Sequence, residues 1–87
     1  MIKAKKLSID YFPNNPGEYN IVYFEGKENL LIVLPCGDRF MTQNRWGIQN
    51  IADEAKITVT PSILCHHHDK LRPDWHGFLT NGEFISV

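Results

Sequence analysis

The last thirteen residues, Trp75-His76-Gly77-Phe78-Leu79-Thr80-Asn81-Gly82-Glu83-Phe84-Ile85-Ser86-Val87, constrain the fold more than any other part of the chain. Asn-Gly is the dipeptide favoured by two-residue type I′ turns, because both central positions of such a turn need a positive φ. A turn at Asn81-Gly82 sets a register in which Thr80 faces Glu83, Leu79 faces Phe84, Phe78 faces Ile85 and His76 faces Val87. Both faces of the resulting ribbon are apolar near its base, so the hairpin is expected to pack inside a β-rich fold.

Upstream, residues 7–12 alternate in a strand-like way and run into Pro13-Asn14-Asn15-Pro16-Gly17, a dense turn signal. Residues 19–24 are β-branched and aromatic, and residues 30–34 form a continuous apolar run, which together predict a hairpin whose second strand is buried on both faces. Pro35-Cys36-Gly37-Asp38 reads as a tight turn into a third strand at residues 39–42. The period then changes: Ile48, Ile51, Ala52 and Ala55 fall at i, i+3, i+4 and i+7, which predicts one short helix with Asn44 at its start. Residues 57–60 are again strand-like, and Pro61-Ser62 should end that strand or place it at an edge. The expected fold class is α+β, mostly antiparallel β. It is a small meander or partly closed barrel of about six short strands, with one short helix and the C-terminal hairpin.

A chain of 87 residues buries only about 60–65% of its unfolded surface, so one core and a single domain over residues 1–87 are expected. Apolar residues make up 43%, enough to build that core, and a formal net charge of −1 gives no global attraction to phosphate backbones. Lys3, Lys5 and Lys6 form the one basic run, which reads as solubilising charge. No stretch approaches the roughly eighteen apolar residues a membrane span needs, and the N-terminus lacks the apolar core of a secretory signal. A cytoplasmic location without membrane contact is the expectation.

The chemistry-bearing residues are concentrated in two places, the Pro35-Cys36-Gly37 turn and the run Cys65-His66-His67-His68-Asp69, with His76 at the start of the last hairpin. In a reducing compartment two cysteines are free thiols or metal ligands. Zinc takes four sulfur or nitrogen donors in a tetrahedron. If the chain stays extended beyond Cys65, period-two geometry puts Cys65 and His67 on one side, and Cys36 and His76 complete the expected set of zinc ligands if these loops meet at one end of the sheet. A bland alternative makes Cys36 a small packed turn residue, the three histidines an exposed loop and His76 a hydrogen-bonded core residue. Catalysis would use Cys65 as nucleophile with a histidine base, or Asp38, Asp69 and Asp74 with the histidines around an open metal. No phosphate-binding glycine loop, nucleophile elbow or His-Glu-x-x-His helix is present.

Thr58-Val59-Thr60-Pro61-Ser62-Ile63, followed after a variable loop by Trp75-His76-Gly77-Phe78 and Asn81-Gly82, resembles the pattern of a family of small uncharacterised phage and bacterial proteins described as metal-binding domains. The resemblance spans residues 31–87 at its widest and is carried by the C-terminal thirty. Family members often carry a paired-cysteine knuckle upstream, and here the Leu34-Pro35-Cys36-Gly37-Asp38 turn holds one cysteine in that place. The resemblance implies a compact β-rich fold and metal binding, with His76 the closest positional match, and no particular reaction. Together with size and charge balance it favours a small non-enzymatic interaction module, zinc-binding and associated with phages or mobile elements. Its expected partner is a protein, a second copy of the chain included. A metal-dependent hydrolase using the His/Asp cluster and a nucleic-acid-binding accessory protein are the alternatives.

Overall fold

The computed structural model describes residues 2–65 and 74–87. Among the described residues eight strands run in the order β1 (Lys5–Lys6), β2 (Glu18–Phe24), β3 (Lys27–Val33), β4 (Arg39–Met41), β5 (Gly47–Gln49), β6 (Thr58–Cys65), β7 (Trp75–Thr80) and β8 (Glu83–Ser86). They form two four-stranded sheets, ordered β1-β2-β3-β4 and β5-β6-β7-β8. β1 lies parallel to β2 and every other neighbouring pair is antiparallel.

This architecture corrects the expected α+β class: among the described residues the structure is all strand, with no helix and no closed barrel. The helix expected from Ile48, Ile51, Ala52 and Ala55 is replaced by β5 and a series of turns. Gln43, Asn44 and Asn50 hold φ of 51°, 61° and 58°, values that a right-handed helix excludes. Ile48 pairs with Val59 in the ladder, and the Asp53 carbonyl accepts bonds from the amides of Lys56 and Ile57. Ile48 and Ile51 still reach the core, from a strand and a turn, whereas Ala52 and Ala55 are exposed. Four residues at helical spacing cannot by themselves outweigh Gly47, Asn50 and Asp53, all poor helix formers.

Other segments differ as well. Residues 7–12 make no strand; Ile9, Tyr11 and Phe12 are exposed, and the pairing on β2 is made instead by Lys5 and Lys6. β6 does not stop at Pro61. It crosses a register shift between Val59 and Ile63 and continues to Cys65 as a central strand. A bulge is where a central strand tolerates a residue without an amide hydrogen. The Thr60–Pro61 peptide is cis.

The C-terminal hairpin has the expected pairs Thr80–Glu83, Leu79–Phe84 and Phe78–Ile85, with φ of 46° at Asn81 and 74° at Gly82. Only one of its faces is buried. Trp75, Gly77 and Leu79 point inward, and His76 and Phe78 point outward. A side-chain carbon at Gly77 would strike the Ile85 carbonyl oxygen and the Trp75 ring, so glycine lets that ring lie against the strand. The ring meets Phe84 edge-on at 5.4 Å, a favoured aromatic geometry.

Both sheets contribute to one buried cluster: Tyr19, Leu30, Ile32 and Leu34 from the first half, and Ile57, Val59, Ile63, Trp75, Leu79 and Phe84 from the second. Each such side chain contributes about 1.5–3 kcal/mol of apolar burial. Polar links tie the halves as well. The Tyr19 hydroxyl donates to the Ile51 carbonyl at 2.9 Å, and burial raises that phenol to about 12. The N-terminal segment bridges the sheets: the Ala4 amide donates to Gly82 and the Ile2 carbonyl accepts from Phe84, then the Lys5 and Leu7 amides donate to Gly17 and Tyr19.

Candidate metal centre

β3 leads into a tight turn whose closing bonds run from the Gly37 amide to the Leu34 carbonyl and from the Leu34 amide to the Asp38 carbonyl, both 2.8 Å. Gly37 sits at φ 94°, a value that glycine adopts without steric cost. The turn therefore holds Cys36 and Asp38 two residues apart, on either side of Gly37, at one end of the first sheet.

Cys65 arrives from the other sheet. It closes β6 opposite Trp75, and residues directly opposite in an antiparallel pair share a face. Trp75 is buried, so Cys65 shares the inward side and lies against the margin of the core, as Cys36 does. The two thiol sulfurs and an Asp38 carboxylate oxygen all lie within 4.8 Å of one another, and all three residues are half-buried. The Cys65 thiol donates to Asp38 Oδ2 at 3.1 Å.

The electrostatics follow from this packing. Burial, then the hydrogen bond to Asp38, then the neighbouring Cys36 push the Cys65 thiol from its ordinary 9.0 up to about 12. A carboxylate and two sulfurs share a partly dehydrated space, where further negative charge is unfavourable and a cation is favourable. A bound cation reverses the proton balance, because a coordinating thiol loses its proton outright. Zinc–sulfur bonds of about 2.3 Å in a tetrahedron set the sulfurs about 3.8 Å apart. The observed separations, all within 4.8 Å, are of the size a shared ion requires. The Cys36–Asp38–Cys65 group can thus hold a metal ion.

Of the four ligands expected from sequence, the structure brings Cys36 and Cys65 together. His76 lies elsewhere: it follows Trp75 on β7, opposite Leu64, and faces outward, with Nε2 3.0 Å from the Ser62 hydroxyl. His67 lies outside the described residues, as do His66, His68 and Asp69. Asp38, assigned from sequence only to the catalytic alternative, is the third member of the group. The signal for it was Cys-Gly-Asp inside a turn, which places two donors on one short loop. No protein family, curated protein or solved structure matches the chain.

Proposed function

We propose that this chain is a small non-enzymatic interaction module whose two sheets are tied together by zinc at Cys36, Asp38 and Cys65. The carrying observation is that donors from opposite sheets converge, Cys36 and Asp38 from the β3–β4 turn and Cys65 from the end of β6. An ion there cross-links the molecule, which suits a chain whose single small core supplies limited stability. Two soft sulfurs with one carboxylate favour zinc over harder divalent cations. The histidines directly after Cys65 in sequence are the natural source of a fourth donor, with His67 preferred from its period-two relation to Cys65. His76 takes no part in this reading.

The interaction half of the proposal draws on the outer face of the second sheet. Leu64, Phe78, Ile85 and Val87 are 53, 40, 45 and 75% exposed. Leu64 pairs with His76 and Phe78 with Ile85, so adjacent strands carry apolar side chains on one side. A contiguous apolar face of this kind commonly marks a protein contact. The partner is a protein, with a second copy of the chain the first to test, in the phage or mobile-element setting that the sequence resemblance implies.

Elemental mass spectrometry on untagged protein purified without chelator tests the metal half. About one zinc per chain is expected in the native protein, with most of it lost in Cys36→Ala, Cys65→Ala and Asp38→Ala but retained in His76→Ala. Equal zinc in all five proteins would refute the assignment. Sedimentation tests the contact face: Phe78→Glu is expected to keep fold and zinc while shifting a dimeric native protein to monomer. A native protein that sediments as monomer at every concentration would exclude self-pairing.

A further inference from the structure

The same two thiols have a redox chemistry that needs no ion. We propose that Cys36 and Cys65 form an intramolecular disulfide between the two sheets by exchange with a small-molecule disulfide such as oxidised glutathione. The inference rests on the thiol geometry that also underlies the zinc reading, and it makes that site redox-responsive. Neither cysteine is engaged in a disulfide, and their sulfurs lie within 4.8 Å of each other. A disulfide requires a sulfur–sulfur distance of about 2.05 Å, so the pair must close a gap of under about 3 Å. Rotation about the Cys36 side-chain bonds leaves intact the turn's own bonds, which join backbone groups of Leu34, Gly37 and Asp38.

The exchange balances in two steps. One cysteine thiolate attacks a glutathione sulfur, forming a protein–glutathione mixed disulfide and releasing one glutathione thiolate. The second cysteine, as thiolate, attacks the protein sulfur of that mixed disulfide, closes the Cys36–Cys65 bond and releases the second glutathione. The two protein thiols lose two electrons and two protons; oxidised glutathione gains both electrons and leaves as two reduced molecules. Once the bond is closed, neither sulfur is a thiolate donor and the Asp38 carboxylate loses the thiol proton that Cys65 donates to it. Disulfide and ion are therefore mutually exclusive occupants of one inter-sheet position, and zinc protects the thiols from exchange.

The test incubates chelator-treated protein and zinc-loaded protein in buffers of graded reduced-to-oxidised glutathione ratio. Intact mass and alkylation of remaining thiols are then read. The expected product of the metal-free chain is lighter by two hydrogens, resists alkylation at both cysteines and reverts on reduction. Cys36→Ser and Cys65→Ser are expected to stop at a single glutathione adduct. A wild-type chain that keeps two alkylatable thiols at the most oxidising ratio, or that accumulates two separate adducts, overturns the proposal. The zinc reading fails separately: a chain that closes the disulfide at the same rate with and without zinc, and retains no zinc after desalting, keeps this inference and loses that one. A chain that binds zinc yet never closes the bond does the reverse.

Discussion

Asp38 sets the character of the cluster more than its small share of the surface suggests. Its carboxylate accepts the Cys65 proton at 3.1 Å, and burial together with that bond holds the thiol at about 12. Because burial is the larger cause, Asp38→Asn is expected to lower the Cys65 titration of the metal-free protein only part of the way toward the ordinary 9.0. The pH dependence of alkylation by a small reagent, followed at Cys65 by peptide mapping, reads this directly. A titration unchanged in the variant would contradict the assigned contact. For the metal-free protein the linkage has a definite sign: the folded chain holds this proton more tightly than the unfolded chain. The contribution of Cys65 to stability is therefore complete below about pH 9 and is lost as pH climbs toward 12. The cysteines themselves stood out in the sequence as candidate ligands, because thiols are rare and chemically distinctive. Their union with Asp38 was not, since it depends on how one turn docks on another sheet. Asn29 was equally hidden. This buried amide accepts bonds from the Thr42 hydroxyl at 2.6 Å and the Asn44 amide at 2.7 Å, a satisfied network that organises the turn after β4.

At the scale of elements, local turn chemistry was the most readable layer. Asn81-Gly82 specified the register of the β7–β8 hairpin because a two-residue turn leaves little freedom in pairing. The apparent helix around Ile48 and Ile51 was misread because both residues do reach the core, and sequence spacing alone does not tell a helix face from a strand followed by a turn. β6 was cut short at Pro61 for a related reason: the bulge that accommodates proline belongs to its pairing with β7, between the pairs Val59–Leu79 and Ile63–Gly77. That extension carries a functional consequence. Only a strand continuing to Cys65 brings its sulfur to the β3–β4 turn, and the strict alternation on β7 then sends His76 to the other side. The close approach at Gly77 gives a test of this layer. Gly77→Ala places a methyl group against the Ile85 carbonyl and the Trp75 ring, and is expected to cost at least about 2 kcal/mol in urea unfolding. A loss below about 0.5 kcal/mol would mean that the hairpin does not pack on the core as described.

For the whole molecule, the question is what holds two short sheets together. The core is continuous between them, the segment of residues 2–7 bonds to both β8 and β2, and the ring of Phe40 meets that of Trp46 edge-on at 4.7 Å across the β4–β5 connection. The Cys36–Asp38–Cys65 group lies at the same boundary, so an ion there acts on the assembly of the sheets and not on either one alone. That is the central claim, and thermal melting of one untagged sample before and after chelation, with zinc content measured on both, tests it most directly. The account predicts about one zinc per chain before chelation. It further predicts that removing zinc lowers the melting temperature by about 10 °C or more, and that the loss is restored by adding zinc back. A metal-free sample, or a melting temperature that ignores the chelator, would contradict it.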